Sequence, residues 1–138
     1  MTQLLLSYTT LSFLLVSTAP IERSNSETPI ETTVCAVSSE PSKFEGRLLE
    51  IRAQFESDGI ERSVLTDKDC INFGIAPLSP KRYVGESALT KALSKGHPGT
   101  LDKTIIGTFI GKFSWHPDQI PNRTLSLQEV RNVSVVMK

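Results

Sequence analysis

Apolar and polar side chains alternate most cleanly in RLLEIRAQFES, Arg47 to Ser57. Leu49, Ile51, Ala53 and Phe55 fall on one face; Glu50, Arg52, Gln54 and Glu56 fall on the other. That period of two is a strand with one wet face. Asp58–Gly59 is a strong turn signal, and ERSVLTD then reads as the returning strand of a hairpin. A third short strand is expected over Ile71 to Ile75, stopped by Pro77 and Pro80. From Pro80 to Lys95 the period changes. Ala88, Leu89, Ala92 and Leu93 stack at helical spacing after Tyr83 or Val84. Gly85 weakens the first half of that helix. Gly96 is its natural stop, with Lys91 and Lys95 well placed in the last turns. TIIGTFIGKFSW, Thr104 to Trp115, is the strongest strand in the chain. Ile105, Phe109 and Phe113 share a face with Gly107 and Gly111, and glycines so placed point to sharp bending or close packing. TLSLQEVRNVSVV closes the pattern as a last strand. Leu125 and Leu127 have one phase and Val130 the other, so a bulge near Gln128–Glu129 is expected.

Upstream, SSEPSKFEG, Ser38 to Gly46, predicts a short helix. Pro41 suits its first turn and Ser38 or Ser39 its cap. Phe44 points to the core and Gly46 releases the chain into the strand. Residues 20–33, PIERSNSETPIETT, hold prolines, glutamates and hydroxyls without an apolar period, and read as a linker. Residues 1–19 carry no charge; Leu4, Leu5, Leu6, Leu11, Phe13, Leu14, Leu15 and Val16 make an apolar run, followed by the small Ser17, Thr18 and Ala19. This is expected to be a signal peptide, with the mature chain starting between Pro20 and Val34. An uncleaved membrane anchor and a buried or disordered N-terminus of a cytoplasmic protein are the alternatives; the run is short for a span, and no span is expected once the signal is removed. Residues 34–138 then form one domain of about 105 residues, small enough for a covalent staple to matter. The order of elements is short helix, hairpin, third strand, helix, two strands. A helix between the third and fourth strands of a β chain is the wiring of an OB-type barrel. The expected fold is therefore mainly β: an OB-like, five-stranded, partly open barrel with one helix between strands 3 and 4 and a short N-terminal helix.

Lys plus Arg number 15 and Asp plus Glu 15 in the 138 residues. That neutrality argues against a general nucleic-acid binder, whose affinity comes largely from paired phosphates. The run Lys81–Arg82, Lys91, Lys95, Lys103 is balanced by Glu86 and Asp102 and reads as a solvated face.

The motifs Val34-Cys35-x-Val37, Pro41-x-Lys43-Phe44-x-Gly46-Arg47-x-Leu49-x-Ile51-Arg52 and Leu65-x-Asp67-x-x-Cys70 together resemble a poorly characterised group of small exported proteins. In those a V-C segment leads through a P-x-x-Y/F-x-G-K/R turn into an OB-like strand, and a second cysteine follows the second strand. Gly107 to Phe113, G-x-F-x-G-x-F, looks like their fourth strand. The resemblance spans about residues 34–135 and implies a structural pattern without an activity. The early pattern also resembles bacterial OB-fold stress proteins and tRNA-anticodon-like OB domains.

Candidate chemistry is sparse. In an oxidising compartment Cys35 and Cys70 are expected to form a disulfide, because the hairpin turn sends the chain end carrying Cys70 back toward the segment carrying Cys35. The alternative is two buried reduced thiols; a redox pair is disfavoured without C-x-x-C. His97 and His116 show no metal-ligand spacing, and no metal or other cofactor is expected. No G-x-S-x-G or phosphate-cradling loop occurs. Asp67 and Asp69 flank a turn, where aspartates are common. Asn122-Arg-Thr and Asn132-Val-Ser match the N-glycosylation pattern, relevant only to a eukaryotic secretory route. Trp115, at a strand end beside a loop, either plugs the barrel end or is a rim contact for a peptide, glycan or nucleotide. No catalytic residue is expected. The leading reading is a non-catalytic interaction or structural domain of the cell envelope, periplasm or extracellular space, with a protein or glycan partner. The alternatives are an OB-type module binding single-stranded nucleic acid or oligosaccharide, and a small hydrolase joining Asp67 or Asp69 to His97 or His116.

Overall fold

The computed structural model describes residues 27–58, 62–97 and 102–138. The signal-like residues 1–19 and Gly59 of the hairpin turn lie outside them. The elements in chain order are β1 (Ile30–Thr32), α1 (Val34–Ser39), α2 (Pro41–Phe44), β2 (Leu48–Ser57), β3 (Ser63–Thr66), β4 (Ala76–Leu78), α3 (Glu86–Leu93), β5 (Lys103–Trp115) and β6 (Arg123–Met137).

The alternation in β2 sets the fold. Its apolar face is buried, and the strand is antiparallel to β3 on one edge and to β5 on the other. The hairpin to β3 is closed by Asp58 N–H to the Arg62 carbonyl at 3.1 Å and by Arg62 N–H to Asp58 Oδ1 at 3.0 Å. β5 pairs antiparallel with β6, and β6 pairs parallel with β4. Among the described residues, only Leu65 and Ile75 join β3 to the start of β4, through N–H···O bonds of 2.8 and 3.0 Å. The ring β2–β3–β4–β6–β5 is thus a mainly β, OB-like, partly open barrel with its thinnest wall between β3 and β4. Leu49, Ile51, Phe55, Ile105, Phe109 and Phe113 fill it. The rings of Phe55 and Phe109 stack with centroids 5.9 Å apart, an arrangement favourable for aromatic pairs. α3 packs on the barrel through Leu89 and Ala92, with Leu93 partly buried. Val34, Val37 and Phe44 of α1 and α2 join the same core.

Four expectations need correction. First, the segment read as a linker holds β1, which runs parallel to β2 with Ile30 opposite Leu49 and Thr32 opposite Ile51. Three residues are too few to show a period, and the strand forms because the free edge of β2 supplies its bonds. Second, the helical cap is neither Ser38 nor Ser39. Thr33 caps α1, its Oγ1 accepting the Ala36 N–H at 3.1 Å. Ser38 is buried inside α1, and Ser39 Oγ donates back to the Ala36 carbonyl at 3.0 Å. Pro41 does open a helical turn, as expected, at the start of α2. Third, Ile71 to Phe73 form a turn, and the third barrel strand lies later and contains Pro77. A proline is tolerated there because its missing N–H costs little at a weakly paired edge. Fourth, the helix begins at Glu86 rather than Pro80. Gly85 sits before it at φ 87°, where an added Cβ would lie 2.0 Å from the Val130 carbonyl oxygen. That close approach lets Val84 exchange backbone bonds with Gln128 and Val130.

The expected bulge is present: Ile110 faces Glu129 while Gly111 faces Leu127, leaving Gln128 over. The extra residue brings Leu125, Leu127 and Val130 all onto the core. A second shift opposite Gly107 places Asn132 at φ 53°. Asparagine tolerates that region better than most residues. Among the described residues, no helix is long and apolar enough to cross a membrane.

Candidate binding surface at the disulfide-stapled end

Cys35 and Cys70 are bonded, with Cα atoms 5.6 Å apart, inside the span that suits a disulfide. The bond ties α1 to the turn at 70–74. That turn is compact: Cys70 N–H donates to the Asp67 carbonyl at 3.1 Å, and Phe73 N–H to the Cys70 carbonyl at 3.1 Å. Asp67 Oδ1 accepts the Asp69 N–H at 2.9 Å, so Asp67 serves its own turn. Phe73, just past the staple, stays 45% exposed, and Ile71 is exposed beside it.

The first residue of β6 reaches this turn. The Arg123 guanidinium lies over the Phe73 ring, 5.5 Å from its centroid, a cation–π geometry. Its Nη2 donates to the Ser38 carbonyl and its Nη1 to Asn122 Oδ1, both at a long 3.5 Å. Its Nε is buried with no partner, as is the Ser38 hydroxyl. No carboxylate pairs with Arg123 among the described residues. A guanidinium so weakly bonded retains capacity for a planar, two-oxygen acceptor. Trp115 stands opposite Arg123 in the β5–β6 register. It is partly buried against the core, and its backbone N–H donates to the Glu45 carboxylate. The loop between β5 and β6 holds the fully exposed Ile120 before a cis Pro121, and is braced by His116 N–H to the Asn122 carbonyl at 2.8 Å. One barrel end therefore gathers the two cysteines, Phe73, Arg123 and this loop. The sequence pairs the cysteines through the hairpin. It carries no signal joining Phe73 to Arg123, which meet only through the ring of strands.

A second charged cluster lies on the outer face of the sheet. Glu31 and Glu50 are register partners on β1 and β2. Arg131 lies 3.6 Å from Glu50 and grips Glu129 through Nε at 3.0 Å and Nη2 at 3.3 Å. The Glu50 carboxyl is held above the usual carboxylate range. Its hydrogen bond with Glu31 is the main cause, with burial and the Glu31 charge adding and Arg131 opposing.

Elsewhere a crevice of about 210 Å³ opens where β3 and β4 part, lined by Phe55, Pro77, Tyr83, Leu89, Leu93 and Leu127. Burial pushes the Tyr83 phenol up, against a lowering hydrogen bond with Ser79. His97 lies beyond α3, its backbone N–H donating to the Asp102 carboxylate at 2.9 Å. Among the described residues, no three His, Cys, Asp or Glu side chains converge as a metal site. No protein-family model and no curated protein sequence matches the chain.

Proposed function

We propose that this protein is a non-catalytic OB-type binding module that holds an acidic oligosaccharide at the end of the barrel carrying Phe73 and Arg123. The observation that carries the reading is the exposed Phe73 ring under a guanidinium that no carboxylate among the described residues neutralises. A sugar ring would stack its C–H face on the exposed part of the Phe73 ring, while a sugar carboxylate takes two N–H bonds from Arg123. Loops and strand faces of OB-type barrels hold ligands of this extended kind. The disulfide supports the site by pinning α1 and the 70–74 turn before any ligand arrives, which lowers the ordering cost of binding. It also supports an exported protein working in an oxidising compartment. The likeness to small exported proteins with the same cysteine pattern agrees with that placement.

Single-stranded nucleic acid is the second reading, since an aromatic ring with an arginine also serves a stacked base. The zero net charge of the chain disfavours it, because such binders neutralise many phosphates. Calorimetric titration with uronic-acid oligomers, their neutral counterparts and an oligo-dT separates the two. Acidic sugars are expected to bind, with affinity falling at least about 10-fold in Phe73→Ala and in Arg123→Gln. Tight oligo-dT binding with a steep salt slope and no sugar binding favours the second reading. Sugar binding that neither substitution alters refutes the site.

A further inference from the structure

We infer that the last seven residues of β6 are a pairing edge for a second copy of this chain, forming a two-fold dimer with a continuous antiparallel sheet. β6 runs to Met137, but its second neighbour ends early. β4 covers Thr124 to Ser126, and Val84 covers Gln128 to Val130. From Arg131 to Met137 the strand is bonded to β5 alone among the described residues. The phase of the free groups follows from the ladder. Lys138 N–H donates to the Asp102 carbonyl on the β5 side at 2.8 Å. Successive residues of a strand point their backbone groups to opposite edges. Val136 and Ser134 therefore also face β5, while Val133, Val135 and Met137 aim their N–H and C=O groups at the open edge.

That set is self-complementary. A two-fold axis through Val135 pairs Val135 with Val135 of the second copy and Val133 with its Met137, and satisfies every one of those edge groups. Moving the register two residues toward the start of the strand sets Met137 against Arg131, whose backbone groups face β5, and leaves Met137 unbonded. The chosen register also sets Ser134 across from Val136, and Asn132 across from Lys138, so no like charges face one another. The apolar content agrees: Val136 is 55% and Met137 52% exposed, and both would be covered. Isologous contacts of this kind close at two subunits.

The edges at β1 and β4 are guarded. β1 offers three residues, follows Pro29 and bears the exposed Glu31. β4 contains Pro77, which has no N–H to donate. Short strands, prolines and charges are the usual blocks to edge pairing. The 131–137 edge has a charge only at its start, and there Arg131 is engaged with Glu50 and Glu129. One strand pair buries less than a standard interface, so the dimer is expected to be weak.

Sedimentation equilibrium from about 10 µM to about 1 mM tests this, in the range where a small interface associates. The average mass is expected to rise toward twice the monomer. Over the same range, the amides of Val133, Val135 and Met137 should gain exchange protection while that of Val136 stays unchanged. Met137→Pro removes one edge donor at the end of the strand and should weaken association at least about 10-fold. Ile120→Ser, on the remote loop, should leave it unchanged. The Cys35–Cys70 bond and unaltered protection of β2 report that each variant is folded. A monomer at every concentration overturns the proposal, as does a dimer that survives Met137→Pro or is lost in Ile120→Ser.

Discussion

Opening the Cys35–Cys70 bond is the sharpest perturbation of this fold, and its cost can be worked from the chain. The bond joins residues 35 apart. Closing a loop of that length removes unfolded-chain entropy equivalent to about 4 kcal/mol at 25 °C. Nothing else is lost in proportion. Val34 and Val37 are fully buried and are expected to keep α1 docked on the core after reduction, while β2 and β3 are expected to keep their own ladder. The expected loss in unfolding free energy is therefore about 3–4 kcal/mol, the upper part of the usual range. Chemical denaturation of the oxidised protein, the reduced protein and Cys35→Ser/Cys70→Ser measures it. The slope on denaturant should steepen slightly as the unfolded chain expands. Hydrogen exchange should show residues 34–45 and the 70–74 turn opening most easily, with Ile51 and Phe109 protected to the global limit. A loss below about 1 kcal/mol, or loosening spread evenly over the barrel, would show that the bond constrains neither the unfolded chain nor this end of the fold.

Three further outcomes are expected. Phe109→Ala removes a fully buried ring stacked on Phe55 and should cost about 3–5 kcal/mol by denaturation; a loss under about 1 kcal/mol means the barrel collapses around the site. Gly85→Ala should cost at least about 2 kcal/mol, while Gly46→Ala, at φ 72° with open space around it, should cost about 1–2 kcal/mol for the left-handed backbone alone; equal losses would refute the clash with Val130. Because the Glu50 pKa is raised in the folded state, its linked stability is complete below the unfolded carboxylate range and fades as pH rises through the raised value. Glu50→Gln should flatten that part of the pH profile and be the more stable form at pH 7, read as melting temperature from pH 4 to 7; an unchanged slope would remove Glu50 as its source.

The elements with strong local signals were legible from the residues alone. Period-two alternation placed β2 and the face of β5 that fills the barrel, because a half-buried strand must segregate its side chains. The phase break between Leu127 and Val130 announced the bulge, since one extra residue is the only way to return both to the core. The two cysteines met because the hairpin between them returns on itself. Tertiary structure decided the rest. β1 exists because β2 has a spare edge, and no local period records that. Pro77 sits in a strand only because β4 lies at the weakly joined wall of the barrel. Gly85 ends the approach to α3 because the Val130 carbonyl lies against it, 45 residues later in the chain. Phe73 and Arg123 look like unrelated loop and strand residues in the sequence. The parallel pairing of β4 with β6 brings them together, and a contact created by closing a ring of strands has no local signature in any one of them.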